Sequence, residues 1–167
     1  MSNLLKLALP QLAPMWLSRE AGLAQVIQTI ETAAKEKADL IVFSESFVPG
    51  YPFWLDGTGG ANFNNEKQKT IFAHYSDQSI TIEDGHLDDV CAALKAANMA
   101  CYLGMIERPR DQTGHSLYCA MFISIKAAQC ARSTASFGQL MKNGLSGLRV
   151  MGTDLSRMSL ARSPWVV

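Results

Sequence analysis

The sequence lacks an excess of charge of either sign, because 15 acidic and 15 basic residues give a formal net charge of zero. A balanced chain has no strong field that would attract nucleic acid or an anionic membrane. Charged residues make up only 18% of the chain, whereas 48% are hydrophobic. We therefore expect no nucleic-acid partner, and this composition indicates apolar surface that another protein could cover.

Long apolar runs are also missing, and no stretch is long enough to span a bilayer. Residues 1–10 include an apolar patch, but neither a basic region before it nor a small-residue cleavage site accompanies it. We therefore expect a cytoplasmic protein with no membrane partner, whose first strand lies in this N-terminal patch.

The sequence has few residues at a spacing that would hold a metal. His74 lacks a partner His or Cys, so we expect a surface or packed histidine. His86 stands among aspartates, and we interpret this cluster as the start of a helix that Asp84 caps. The four cysteines show no paired metal spacing, and we expect those in strands to be small core residues: Cys91, Cys101, Cys119 and Cys130.

The most informative stretch that is present follows a short apolar run, Leu40 to Phe43, which predicts a buried strand. Glu45 comes where this strand ends, before the turn-forming residues of 49–52. In open α/β sheets, ligands bind at that end of the strands. Nearby aromatics would remove water from the carboxylate and favour its protonated form, which suits a general base. The residues alone also allow a solvated glutamate that merely ends a strand.

Residues 43–52 read Phe-Ser-Glu-Ser-Phe-Val-Pro-Gly-Tyr-Pro. This stretch resembles the first active-site motif of the nitrilase branch of the carbon–nitrogen hydrolase family, which is usually Phe-Pro-Glu-Ala-Phe-Ile-Pro-Gly-Tyr-Pro. Ser44 replaces the usual proline. The resemblance implies that Glu45 is the general base, and that Tyr51 and Trp54 contact an apolar or aryl nitrile. Cyanide-hydrating relatives share much of the motif.

Residues 1–124 form the N-terminal part of a carbon–nitrogen hydrolase domain under this resemblance. The pattern predicts a strand, a helix over about 19–36, a strand, two helices, and two antiparallel strands over 99–107 and 117–124. The resemblance implies an α/β fold, the N-terminal half of a nitrilase-type αββα sandwich. We expect a mixed sheet with helices on one face.

The family pattern fails after residue 124, and we expect residues 125–167 to be an aberrant, poorly ordered tail. The family motifs His-Arg-Lys-Leu-x-Pro-Thr-x-x-Glu-Arg and Gly-Gly-x-x-Cys-Trp-Glu, which supply a lysine and a cysteine, are both absent. Codons allowed for residues 133–144 permit the first of them in a shifted frame. We hypothesise a frameshift near residue 125, with a partial return to frame that explains a weak family resemblance over 147–155.

The resemblance implies a mechanism that needs no metal or organic cofactor. A cysteine thiolate attacks the nitrile carbon, ammonia leaves, and water hydrolyses the acyl-enzyme to a carboxylate. Only Glu45 carries over to this chain, so we expect an inactive fragment of a nitrilase-type hydrolase. One alternative is a non-catalytic subunit that assembles with itself or with a full-length homologue. Another is an intact enzyme that uses an unrecognised cysteine.

Overall fold

The computed structural model describes residues 4–60, 64–110, 116–125 and the strand 133–136. Five strands form one mixed sheet in the order in which they occur along the chain. They are β1 (Leu7–Ala8), β2 (Leu40–Val42), β3 (Ala100–Glu107), β4 (Tyr118–Ser124) and β5 (Ser133–Ser136). Strands β1, β2 and β3 run parallel, whereas β3, β4 and β5 pair antiparallel. The predicted mixed α/β sheet is therefore confirmed.

Helix α1 (Arg19–Lys35) supplies the crossover between the two parallel strands β1 and β2. Its sequence specifies both its start and its buried face. The Ser18 side chain accepts a hydrogen bond from the backbone N–H of Ala21, which satisfies one of the free donors at the helix start. Val26 and Ile30, one turn apart, are fully buried. The predicted helix and its apolar face are therefore present.

Three further helices connect β2 to β3: α2 (Trp54–Gly57), α3 (Glu66–Gln78) and α4 (Asp88–Ala97). A short 3-10 turn, Ile82–Asp84, precedes α4, whose N-cap position is Leu87. The prediction that Asp84 caps this helix is therefore wrong. The chain turns through Gly85, in the left-handed region, before α4 begins, and Asp84 instead forms an ion pair with Arg110.

Both histidines singled out in the sequence make hydrogen bonds with backbone groups. His74 is exposed, and its Nε2 lies 3.0 Å from the Leu17 carbonyl oxygen. His86 Nδ1 accepts a hydrogen bond of 3.0 Å from the backbone N–H of Thr81. Burial lowers the pKa of His86 below its ordinary value. These contacts give the two rings structural roles.

The main core lies on one face of the sheet, which we call the helix-side face. Strand register places Ile41, Cys101, Leu103, Ala120 and Phe122 on it together. These residues are buried, and they pack in one cluster with apolar side chains of α1 and α4. The fully buried large side chains therefore come from both layers.

The opposite face, which we call the open face, carries the alternate residues of the same strands. It includes Leu40, Val42, Tyr102, Met121 and Ile123, all of them partly exposed. None of these five belongs to either apolar cluster formed by the described residues. The sheet therefore has one face packed against α1 and α4, and an opposite face on which these five apolar side chains are incompletely buried.

Strand β5 was not anticipated, because it falls in the segment predicted to be aberrant and poorly ordered. It pairs antiparallel with β4, so that Ser133 lies opposite Ile123. The remainder of that tail, residues 126–132 and 137–167, lies outside the described residues, as does the weak resemblance over 147–155. Within the part of the chain that the structure describes, no helix combines the length and apolar character that crossing a membrane requires.

Candidate functional site

The stretch that follows β2 leaves the sheet for three residues and then rejoins it. The backbone N–H of Phe43 donates to the Tyr102 carbonyl, and the N–H of Phe47 donates to the Gly104 carbonyl, both at 2.9 Å. In a regular parallel ladder, donors two residues apart bond to carbonyls two residues apart. Here donors four residues apart, Phe43 and Phe47, bond to carbonyls only two residues apart, Tyr102 and Gly104. Ser44 to Ser46 therefore form a bulge that directs the Glu45 side chain away from the ladder.

Gly104 of β3 allows this bulge to lie directly on the sheet. A Cβ atom built at Gly104 would lie 2.3 Å from the Ser44 carbonyl oxygen, 2.6 Å from Glu45 Cα and 2.8 Å from the Ser46 backbone nitrogen. All three atoms belong to the backbone, so no rotamer change could make room. Because Gly104 pairs with Met121 on the open face, the bulge and Glu45 lie on that face.

The surroundings of Glu45 differ from the predicted aromatic setting. Phe43, Phe47 and Val48 are buried in the helix-side cluster, on the other side of the sheet. Glu45 itself is exposed. The expectation that these side chains would remove water from the carboxylate is therefore wrong for the chain as described. Regular alternation would place Phe43, Glu45 and Phe47 on one face, so it is the bulge that turns the carboxylate to the opposite face.

A cysteine that the sequence did not identify as a site residue lies against Glu45. Cys119 of β4 donates a hydrogen bond from Sγ to Glu45 Oε1 at 3.2 Å. Its Sγ also lies 3.4 Å from Ser46 Oγ. Cys119 pairs in register with Ile106, two residues beyond the Gly104–Met121 pair. The alternation of side chains along β4 could have predicted that Cys119 lies on the open face. Only the bulge, which the sequence did not reveal, brings the Glu45 carboxylate to the Cys119 thiol.

The thiol of Cys119 is held in its protonated form by its surroundings. Partial burial raises its pKa most, and the negative charge of Glu45 raises the pKa further. The hydrogen bond with Ser46 acts in the opposite direction. The other free cysteine of the described residues, Cys101, is fully buried, and burial raises its pKa to about 12. The two thiols therefore differ in access and in their neighbours.

A second apolar cluster adjoins the thiol. Trp54 and Tyr75 pack edge to face with ring centroids 4.5 Å apart, and both are buried. Cys119 and Ile106 pack against them. The hydroxyl of Tyr75 donates a 2.8 Å hydrogen bond to the Gly50 carbonyl, and burial raises the pKa of this phenol. The aromatic residues of this cluster therefore form an apolar wall beside Cys119.

The predicted substrate-binding residues occupy different environments. Trp54 is only 8% exposed and belongs to this wall, whereas Tyr51 is 62% exposed. Both substrate contacts, and the general-base role of Glu45, stay predictions. Gly50, which immediately precedes Tyr51 in the sequence, adopts a φ of +98°. A Cβ atom at this position would lie 2.4 Å from Trp16 Cδ1. The glycine of the motif is therefore required by the Trp16 ring and by the backbone.

Neither a cation partner nor a metal-binding group accompanies Glu45 in the described ranges. Ion pairs there join Lys6 to Glu36, Lys69 to Glu66, Arg108 to Asp77 and Arg110 to Asp84. No described set of three or more His, Cys, Asp or Glu side chains converges as a metal site would require. The predicted absence of a cofactor stays a prediction.

A cleft of about 340 Å³ lies away from this site, between β1 and α1, and its walls include Ala8, Thr29 and Ala33. Its lining is mostly apolar and shares no residue with the Glu45 bulge or the aromatic wall. The chemistry that the sequence predicts at Glu45 therefore does not belong to this cleft.

Comparison with known proteins identifies relatives for most of the chain. The carbon–nitrogen hydrolase family matches residues 6–132. A cyanide hydratase from Armillaria gallica is 35% identical over 115 residues, which are 69% of this chain and 30% of that protein. An aliphatic nitrilase from Rhodococcus rhodochrous is 29% identical over 126 residues, 73% of this chain and 31% of that protein. A nitrilase 2 from an unknown prokaryotic organism is 29% identical over 160 residues, 92% of this chain and 49% of that protein. The matched part thus spans between about a third and a half of the length of these relatives.

Proposed function

Because the chain belongs to the carbon–nitrogen hydrolase family, we propose that residues 43–54 are the general-base side of a site that hydrolyses small nitriles. The observation that carries this proposal is the bulge that holds Glu45 over Gly104, beside a thiol. The names of the relatives, among them aliphatic nitrilase and arylacetonitrilase, support a nitrile as the substrate class. The products would be a carboxylate and ammonia.

Each proposed residue has a separate role. Glu45 takes the proton from the attacking thiol and later from the hydrolytic water. Trp54 forms part of the apolar wall that receives the organic group of the nitrile. Tyr51 is exposed beside this wall and contacts the substrate from the solvent side. These roles fit an apolar or aryl nitrile, because a wall of aromatic rings favours apolar groups.

We further propose that the 167-residue chain does not turn over nitriles by itself. Hydrolysis passes through tetrahedral states whose negative charge must be stabilised. Among residues 4–60, 64–110 and 116–125, no Lys or Arg forms an ion pair with Glu45. Incubation of the purified chain with phenylacetonitrile should release no more ammonia than buffer. Sustained ammonia release that depends on protein concentration would contradict this proposal.

The frameshift hypothesis leads to a direct test of Glu45. The family match ends at residue 132, near the predicted break. The nucleotide sequence across codons 120–160 should encode the missing lysine motif in a shifted frame. A gene repaired at that point should yield an enzyme that releases ammonia from nitriles.

In that repaired enzyme, Glu45→Gln should lower kcat by about 10²-fold to 10⁴-fold, because general-base catalysis contributes a factor of this size. Glu31→Gln, an exposed glutamate of α1, is the matched control and should leave kcat unchanged. Equal activity of the two variants would rule out a general-base role for Glu45.

A second candidate function is a non-catalytic subunit that assembles with a full-length nitrilase. The partly exposed apolar residues of the open face favour it, because exposed apolar patches mark contact surfaces. Co-expression with a tagged full-length nitrilase should then co-purify the chain in equal amounts. Met121→Lys on the open face should abolish this co-purification, whereas Gln28→Lys, at an exposed position of α1, should leave it unchanged. Self-association alone would instead indicate a homo-oligomer.

A further inference from the structure

The contact between Cys119 and Glu45 brings a nucleophile and a base together on the open face. The Sγ–Oε1 distance of 3.2 Å is within hydrogen-bonding range for sulfur. Glu45 is exposed and Cys119 is partly exposed, so a small molecule can approach the pair from solvent. Cys119 also packs against the aromatic wall of Trp54 and Tyr75. Sulfur, carboxylate and apolar surface therefore meet at one point.

We propose that Cys119 is a nucleophile that adds to the triple bond of a small nitrile, with Glu45 transferring the thiol proton. This inference rests on the proposed nitrile substrate class. A bond forms between Sγ and the nitrile carbon, and one π bond between carbon and nitrogen breaks. The thiol proton passes to the Glu45 carboxylate and then to the nitrile nitrogen. The product is a thioimidate, and no oxidant, reductant or second reactant is consumed.

The surroundings of the thiol require this proton transfer. Burial and the Glu45 charge raise the pKa of Cys119, so the thiol is protonated at neutral pH. The groups that face it are Glu45, the hydroxyl of Ser46 and the phenol of Tyr75. The Tyr75 hydroxyl already donates to the Gly50 carbonyl, and burial keeps it neutral. Glu45 is the only carboxylic acid among these three groups, and a carboxyl group is a side chain that commonly acts as a general base.

The expected reaction stops at the covalent adduct. Conversion of a thioimidate to an acid requires water attack and the departure of ammonia, with stabilisation of the charge that develops. Because no Lys or Arg of the described residues forms an ion pair with Glu45, the chain should capture one nitrile at Cys119 without turnover. Covalent capture and ammonia release are therefore separate measurements, and either can fail without the other.

The experiment exposes the 167-residue chain to 2-cyanopyrimidine, an electrophilic heteroaryl nitrile, at pH 7. Intact-mass measurement should show the addition of one nitrile, and peptide mapping should place it on Cys119. Cys119→Ser should lose the adduct. Cys119→Ala is a second variant, in case the hydroxyl disturbs folding. Cys101, fully buried and on the helix-side face, is the internal control and should remain unmodified. An adduct at another residue, or no adduct, would overturn the proposal.

The Glu45→Gln variant separates proton transfer from simple thiolate chemistry. Removal of the carboxylate charge lowers the pKa of the thiol, so a reaction limited by thiolate concentration would accelerate. A reaction in which Glu45 takes the proton should instead slow by about 10²-fold or more. Glu31→Gln should react at the wild-type rate. An unchanged or faster rate in Glu45→Gln would refute the role of Glu45. Ammonia release during the same incubation would contradict the proposed lack of turnover but not the capture.

Discussion

Replacement of Gly104 by alanine tests whether contact between the bulge and the sheet positions Glu45. The added methyl would lie 2.3 Å from the Ser44 carbonyl oxygen and 2.6 Å from Glu45 Cα. Ordinary contacts between carbon and oxygen are about 3.4 Å, so the bulge must move away from the sheet by about 1 Å. The neighbouring hydrogen bond from Phe47 to the Gly104 carbonyl opposes this movement.

Two quantities should change in Gly104→Ala. Overpacking of a close contact costs about 1–3 kcal/mol, and we expect the upper part of this range because only backbone atoms can yield. A displacement of about 1 Å at a reacting group costs about 10²-fold in rate. The variant should therefore unfold at lower urea concentration, and it should capture 2-cyanopyrimidine about 10²-fold more slowly.

The assay is urea denaturation followed by tryptophan fluorescence, with thermal unfolding by circular dichroism as a second probe. Gly57→Ala in α2 is the matched control, because a Cβ there meets no atom within 4 Å. It should leave stability unchanged or raise it by about 0.4–1 kcal/mol. If Gly104→Ala matches the wild-type chain within about 0.5 kcal/mol, the bulge does not depend on this contact, and the positional argument for Glu45 fails.

Two further predictions concern the hydrogen bonds of Tyr75 and His86. Tyr75→Phe removes the hydrogen bond to the Gly50 carbonyl and should lower the free energy of unfolding by about 1–3 kcal/mol. The control Tyr51→Phe, at an exposed ring, should change the free energy of unfolding little. Equal urea midpoints for the two variants would contradict the role of this hydrogen bond. Burial lowers the pKa of His86 in the folded chain, so the unfolded chain binds more protons, and stability should be complete above pH of about 6.5 and fall as pH decreases toward the folded pKa. His86→Asn retains an acceptor for the Thr81 N–H and should remove this part of the pH dependence of the melting temperature; an identical pH profile in the variant would show that His86 does not cause it.

The sequence alone specified most of the secondary structure, because its signals are local. Ser18 and the apolar face of α1 predicted that helix from one turn to the next. Two β-rich runs joined by a turn-rich loop predicted the antiparallel pair of β3 and β4. The Asp84 cap failed because Gly85 inserts a turn before α4, and capping signals do not determine which of several turns a chain adopts.

For the candidate site, the sequence predicted Glu45, and the tertiary structure decided the surroundings of that residue. Residues 43–52 identified Glu45 through a motif, and motif recognition needs no coordinates. Whether its carboxylate met aromatics or water depended on the direction of the Ser44–Ser46 bulge, which is set by the absence of a side chain at Gly104, about 60 residues away in the sequence. Its contact with Cys119 required both β3–β4 register and that bulge. Local residue order therefore determined which chemical groups the chain carries, and tertiary packing alone decided which of them meet.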